Sequence, residues 1–193
     1  MAGGTTEYPQ RLVIDSIGWE KTPVDPQTGQ RIKGWSQGSG YDIEDIIEMA
    51  PLACGVILGP VSGGLAAIDF DGPGSVEMFL QTFGRPATDL PQTIGWTSGK
   101  DSRCQLSYVI DREWWDSIRG GKSFKNNTGR TVLEFRWSGQ QSAIAGVHPE
   151  TGSYSWIKGC SPAELGKPAI APEWILYPLL QDEHASSLST FRG

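Results

Sequence analysis

Polar and apolar positions alternate most tightly in TVLEFRW, residues 131–137. In a strand, Val132, Glu134 and Arg136 fall on one face and Leu133, Phe135 and Trp137 on the other, so an apolar face packs away from a charged one. Two apolar runs precede it, CGVILG and GLAAIDF, separated by PVSG. They predict buried strands joined by a tight loop. Asp71-Gly-Pro-Gly breaks the second run. Ser75 then stands as the cap of a helix carrying Val76, Phe79, Leu80 and Phe83 at helical spacing. TIGWTSG reads as a strand entering a loop and QLSYVI as the strand leaving it. REWWDSIRG predicts a short helix, QQSAIAG the hairpin partner of TVLEFRW, and YSWI a further edge strand.

The two ends read differently. Residues 1–40 are rich in Gly, Pro, Thr and Gln, and TPVDPQTGQRIKGW reads as a turn-rich connector with Arg31 and Lys33 before Trp35. Asp42 is placed to cap a short helix, IEDIIEMA, with Ile43, Ile46 and Ile47 on one face and Pro51 at its end. APEWILYPLLQ predicts a docking helix, and HASSLSTFRG a loose tail. There are no internal repeats. The expectation is a single α/β (α+β) domain over residues 1–193, with a core of about 10–160 and a C-terminal extension over 161–193. Its centre is a mostly antiparallel sheet with flanking helices.

Composition narrows the class. Of 193 residues, 38% are apolar and 20% charged, enough for a sizeable core. The 25 Gly and 13 Pro favour strands with short connections over a helical bundle. No apolar run is long enough to span a bilayer, and MAGGTTEYPQ does not read as a signal peptide. Cys54, Cys104 and Cys160 match no disulfide framework and no zinc spacing. A cytoplasmic protein with reduced thiols is expected. The net charge of −6 counts against nucleic-acid binding taken alone. Between Lys100 and Arg136, however, eight basic residues face five acids, a local balance of +3.

Four features carry candidate chemistry. In Ile68-Asp69-Phe70-Asp71-Gly72, an apolar strand ends in two acids at i and i+2, on one face. Two such carboxylates repel, and a hard divalent cation relieves the repulsion, with Mg²⁺ or Mn²⁺ suited to oxygen ligands; a plain strand-ending turn is the competing account. Glu134 could bring a third carboxylate and complete a two-metal phosphoryl-transfer site, or it could form a surface ion pair with Arg136. The segment Trp96-Thr-Ser-Gly-Lys-Asp-Ser-Arg-Cys-Gln105 places Ser98, Gly99, Lys100 and Arg103 between two strands, where backbone N–H groups and charge could cradle a triphosphate. A solvated hairpin loop is the alternative. Further on, HPETG is a turn containing His148, and Tyr154 and Trp156 share a strand face suited to packing or to stacking on a base.

Taken in order, these segments resemble the prim-pol domain (bifunctional DNA primase/polymerase) of the archaeo-eukaryotic primase superfamily, over about residues 20–158. The versions found beside cyanobacterial, plasmid and phage replication proteins are the most similar. TPVDPQTGQRIKGW resembles the family's opening segment, and GVILGPVSGGLAAIDFDGPG its Gly-rich loop, apolar strand and acid-x-acid-Gly. WTSGKDSRCQLSYV resembles the nucleotide-binding loop and strand, and LEFRWSGQQSAIAGVHPETGSYSW the third acidic strand and closing hairpin. The resemblance implies a DNA primase and DNA polymerase acting on single-stranded or primed DNA templates with nucleoside triphosphates. Asp69, Asp71 and Glu134 would be its metal-binding catalytic acids. Ser98, Gly99, Lys100, Arg103, Gln105, Arg136 and His148 would contact the nucleotide. Gln105 stands where the family usually has histidine, and an amide can donate to phosphate without bringing charge.

Two other functions compete. A haloacid-dehalogenase-type phosphatase also has a strand ending in Asp-x-Asp-Gly, with Asp69 as nucleophile and Asp71 as acid/base, but it needs a later acidic pair, for which only Asp182-Glu183 offers itself. A catalytically inactive module that binds single-stranded DNA or an origin would suit Gln105 and the acidic balance. The loose last residues fit a domain followed by a helicase in a longer protein.

Overall fold

The strand LAAIDFD divides its residues between two cores, and the architecture follows from that division. The structure is a computed structural model; it describes residues 19–24, 41, 44–46, 52–118 and 120–180. Ten strands are described: β1 (Lys21–Val24), β2 (Ala53–Ile57), β3 (Leu65–Asp71), β4 (Gly95–Thr97), β5 (Arg103–Val109), β6 (Lys122–Lys125), β7 (Thr131–Arg136), β8 (Gln141–Gly146), β9 (Ser155–Trp156) and β10 (Ala169–Ile170). A larger sheet runs β6-β7-β3-β5-β4-β9, with β10 added to β5. A smaller one runs β1-β2-β8. Every pairing is antiparallel except that of β10 with β5.

On the back face of the larger sheet, Ala66, Ile68 and Phe70 of β3 join Tyr108 of β5 and Leu133, Phe135 and Trp137. Helix α1 (Ser75–Phe83) and the C-terminal segment α2 (Pro162–Leu165) to α3 (Glu173–Leu176) follow in the chain. Phe79 of α1 and Ile175 and Leu176 of α3 close this core, both helices offering one apolar side. On the front face, Leu65 and Ala67 pack with Trp96 of β4 against Cys54, Val56, Ile144 and Ala145 of the smaller sheet. Trp96 Nε1 donates to Ala143 O at 2.9 Å and ties the two sheets together. The smaller sheet covers only the first half of β3. The second half, with Asp69 and Asp71 on the same front face, is left as the wall of a cleft.

Several expectations need correction. QQSAIAG does not pair with TVLEFRW: β8 crosses to β2, with Ala53 opposite Gly146 and Ile57 opposite Gln141. Both strands are almost wholly buried; β2 lies between β1 and β8, and β8 ends the smaller sheet with its face packed on the core. CGVILG and GLAAIDF are buried strands joined by a short 3-10 turn at Pro60–Ser62, as expected, and they lie in different sheets. Ser75 is not the cap of α1; Gly74 takes that position with φ 87°, and no side chain caps the helix. REWWDSIRG forms a 3-10 helix over Arg112–Ser117. APEWILYPLLQ forms the short α3 and a 3-10 turn, Tyr177–Leu179. The first residues of the supposed connector, Thr22 to Val24, belong to the strand Lys21–Val24. Arg31, Lys33, Trp35, Asp42, Ile43, Ile47, Pro51 and the tail HASSLSTFRG lie outside the described residues. Among those described, no helix is long and apolar enough to cross a membrane.

The turn into β3 offers a test. Gly63 and Gly64 both have positive φ, 68° and 88°. A Cβ on Gly63 meets nothing within 4 Å, whereas one on Gly64 would stand 2.6 Å from Ile110 O, a backbone atom that cannot yield. Gly63→Ala should cost about 1 kcal/mol, the ordinary left-handed penalty. Gly64→Ala should cost at least about 2 kcal/mol more, because β3 and β5 must part to admit it. Urea denaturation of the two variants checks this; equal costs would show that the turn relaxes freely.

Candidate active site

Strand pairing, rather than loop placement, assembles the acids. Asp69 sits opposite Glu134 of β7 on one side and Gln105 of β5 on the other, and Asp71 sits opposite Arg103. Opposed residues of antiparallel strands lie about 4.5–5.5 Å apart at Cα, so these front-face side chains must meet. Arg136 is opposite Ala67, whose methyl group leaves room for the guanidinium. Its Nη2 lies 2.6 Å from Asp69 Oδ2 and 2.6 Å from Glu134 Oε2, one donor shared by two carboxylates. Arg136 Nη1 donates to Gln141 O of β8 at 3.1 Å, which anchors the side chain to the smaller sheet. Arg103 Nη1 is 2.8 Å from Asp71 Oδ1. Ser123 Oγ of β6 donates to Glu134 Oε1 at 2.7 Å. Glu134 is therefore more than half of a surface ion pair with Arg136.

The row is electrostatically tense. Asp69 is 8% exposed. Burial pushes its carboxyl up to about 6; Arg136 pulls it down, and the neighbouring Asp71 and Glu134 push it up again. Two buried polar atoms beside it, Gln105 Oε1 and Arg136 Nε, find no hydrogen-bond partner among the described residues. Cys104, next to Gln105, has its thiol pushed up to about 11, by burial first and by Asp69 second, so it stays protonated.

Asp69 and Asp71 border an open cleft. Asp69, Asp71, Ser98, Arg103, Gln105, Arg136 and His148 line it, as do Trp96, Thr97, Cys104 and Tyr154. Glu134 joins this group through Arg136, while Gly99 and Lys100 do not line it. The loop between β4 and β5 is held from both sides. Thr97 Oγ1 donates to Arg103 O at 2.7 Å and accepts from Gly99 N at 2.9 Å. Across the cleft rim, Lys100 pairs with Glu150 and Thr151 Oγ1 donates to Ser98 O, so the 148–152 turn is clamped onto the loop. Lys100 is thus already engaged.

His148 has a defined role in that turn. Its Nδ1 accepts from Glu150 N and Thr151 N at 3.3 Å each. An accepting Nδ1 leaves the proton on Nε2. Burial lowers the tendency of the ring to take a second proton, and Lys100 lowers it further. A neutral N–H donor therefore stands at the rim, edge-on to Tyr154 at 5.4 Å between ring centroids. Sequence reasoning did not assign Trp96, Thr97, Tyr154 or Ser123 to the site. Trp96 and Tyr154 stood inside motifs already singled out, but nothing in the spacing showed which aromatic faced the acids. Ser123 lies on a strand whose polar residues, KSFK, gave no strand signal.

Asp69 makes stability depend on pH. The folded state holds its proton more tightly than the unfolded chain, where the carboxyl has its usual 3.8. Its contribution is most favourable below that value and is lost as pH rises through about 6. The loss approaches about 3 kcal/mol above pH 6. In metal-free buffer, Asp69→Asn should therefore gain stability relative to the unsubstituted chain between pH 4 and pH 7. Paired urea titrations at those two values check it, and a constant difference would mean that Asp69 ionises normally.

A family model described as bifunctional DNA primase/polymerase, N-terminal, matches residues 13–174. A search of curated proteins finds no match.

Proposed function

The chain belongs to the family of bifunctional DNA primase/polymerase N-terminal domains, and we propose that it carries out template-directed nucleotidyl transfer on DNA with Asp69, Asp71 and Glu134 as its catalytic acids. One observation supports the reading above the others: Glu134 and Asp69 are register partners that share Arg136, with Asp71 on the same face at the mouth of the cleft. The acidic pair required by the phosphatase alternative, Asp182-Glu183, lies outside the described residues.

The donor set fits Mg²⁺ or Mn²⁺. It is all oxygen, three carboxylates with the unpartnered Gln105 Oε1 beside them. Among the described residues, no three acids are arranged to hold an ion as they stand. Their oxygens are turned to Arg136 and Arg103 instead. When bound by Asp69, Asp71 and Glu134, divalent metal would activate the attacking hydroxyl and stabilise charge on the leaving pyrophosphate. The protein's own groups divide the remaining work. Arg103 and Arg136 carry the positive charge that an incoming triphosphate needs, and the neutral His148 Nε2–H and the Gln105 amide can donate to its oxygens. Trp96 forms a rigid floor, since it is 1% exposed and edge-packed on Trp156. Tyr154 is the half-buried aromatic placed to meet a base or sugar.

Incubation with labelled nucleoside triphosphates, Mg²⁺ or Mn²⁺, and single-stranded DNA with or without a primer tests the activity. Asp69→Ala and Asp71→Ala should abolish incorporation without lowering the melting temperature, because each removes a mutually repelling carboxylate. Undiminished extension in either variant would remove the acids from the reaction. No incorporation by the unsubstituted chain, with DNA binding retained, would favour the inactive DNA-binding module.

Arg136 yields a second test. It already neutralises the two carboxylates that would hold metal. Arg136→Gln should bind Mn²⁺ about ten-fold more tightly in the absence of nucleotide, since one competing buried cation is gone. The same variant should bind nucleoside triphosphate more weakly. Calorimetric titration with each ligand separates the two effects, and weaker Mn²⁺ binding in the variant would show that Arg136 supports the metal site rather than competing with it.

A further inference from the structure

The cleft occupies only one side of the acid row. Its walls come from β3, β4 and β5, with His148, Tyr154 and the side chain of Arg136 reaching over from β7, and no described residue of β6 lines it. On the other side, beyond Glu134, β6 and β7 form an antiparallel hairpin at the open edge of the larger sheet. The most basic stretch of the chain leads into and through this hairpin. From residue 117 to residue 133 there are four basic residues, Arg119, Lys122, Lys125 and Arg130, and no acid. The whole chain carries −6, so the remainder carries −10. A segment of charge +4 in such a protein marks a place built for an anion.

Geometry joins the hairpin to the site at two points. Ser123 of β6 donates to Glu134. Arg130, at the start of β7, brings Nη2 to 3.7 Å from where a Cβ on Gly72 would stand, and Arg103 Nε comes equally close to the same point. Gly72 follows Asp71, so both guanidinium groups stand at the lip of the acids. Arg103 is paired with Asp71. Arg130 makes no ion pair with any described carboxylate. The turn beneath it is fixed: Asn126 Oδ1 accepts from Thr128 N and Arg130 N at 3.0 Å each, and Asn126 N donates to Arg130 O at 2.9 Å. Lys125 is exposed at the end of β6, also without a described ion pair. Lys122 differs, because its Nζ donates to Pro178 O at 2.9 Å and lies over Phe124.

We propose that the β6–β7 hairpin, through Lys125 and Arg130, seats the sugar–phosphate backbone of the DNA strand whose end reacts at the acids. The inference rests on the nucleotidyl-transfer reading. In phosphoryl transfer the attacking and leaving oxygens lie roughly in line through the phosphorus. If the triphosphate occupies the cleft on the β4–β5 side, the attacking strand must approach from the opposite side of the acid row, which is where the hairpin stands. Charge complementarity agrees, since Lys125 and Arg130 are cations with no described partner and phosphate contacts supply most of the affinity of such interfaces.

The test is fluorescence anisotropy of labelled primed DNA at several salt concentrations, without nucleotide. Lys125→Glu/Arg130→Glu should weaken binding about ten-fold at low salt and reduce the salt slope by about two, one for each phosphate that is no longer neutralised. A control, Lys158→Glu/Lys167→Glu, makes the same charge change at exposed sites elsewhere and should have a much smaller effect. The milder Lys125→Ala/Arg130→Ala covers the case in which the reversal fails to fold, since the turn is held by backbone atoms and Asn126. Unchanged DNA affinity in a folded hairpin variant overturns the proposal. So does a loss confined to nucleoside triphosphate affinity, which would assign Arg130 to the cleft. Both outcomes leave the polymerase reading standing, provided that the unsubstituted chain binds primed DNA and extends it. Failure of the unsubstituted chain to bind DNA at all would instead remove the reading on which the hairpin's role depends.

Discussion

The guanidinium of Arg136, shared by Asp69 and Glu134, is the constraint around which the structure is arranged. A carboxylate on the central strand of a sheet would ordinarily be costly, because burial penalises its charge. Asp69 is tolerated because a cation reaches it from the neighbouring strand and is itself held from a second sheet, through Gln141 O. Removing Arg136 would leave Asp69 buried without its cation, the circumstance in which a buried ion pair matters most, whereas removing Asp69 leaves Arg136 still paired with Glu134. The small residue Ala67, opposite Arg136, is part of the same arrangement. A larger side chain there would push the guanidinium away from both carboxylates.

The two-sheet architecture serves this cluster. The smaller sheet covers the front of β3 only as far as Ala67, and it supplies the carbonyl that fixes Arg136. Beyond that point the front face is polar and open, while the back face stays apolar along the whole strand, with Phe70 packed on Phe79 of α1 at 5.6 Å between ring centroids. One strand thus joins a rigid core to a charged cleft with no intervening loop. Side chains mounted on paired strands are held more precisely than side chains on loops, which suits acids that must act together.

Much of this was legible in the sequence, and the exceptions have physical causes. Alternation in LAAIDFD and TVLEFRW placed Asp69, Asp71, Glu134 and Arg136 on front faces, because side-chain direction in a strand has a strict period of two. What alternation cannot give is the partner of each strand. The crossing of β8 to β2, and the separation of β2 and β3 into different sheets, follow from long-range burial of small residues that leaves no local trace. β6 was invisible because an edge strand needs no apolar face, and KSFK is largely exposed. The clamp of the 148–152 turn onto the β4–β5 loop was hidden for a similar reason: its partners are about fifty residues apart, Lys100 with Glu150 and Ser98 with Thr151. It diverts Lys100, which spacing alone had directed toward phosphate.

The charge count of the cluster also bears on Gln105, which the resemblance sets where a histidine is expected. Three carboxylates face two guanidinium groups, so the row carries about one net negative charge. Gln105 stands in register with Asp69, the most buried of the three acids. A protonated imidazole in that place would add a third cation beside a carboxylate already answered by Arg136, and its own burial would oppose the charge. A neutral amide avoids that desolvation and can still turn a donor or an acceptor toward whatever enters. On the proposed reading, the positive charge for phosphate would come from neighbours on the same face, Arg103 two residues earlier on β5 and Arg136 across the sheet on β7. An amide at Gln105 would then redistribute charge within the cleft rather than empty it. Arg103 and Arg136, each already paired with an acid, would then have two duties, holding the acids together in the empty site and meeting the phosphates in the filled one.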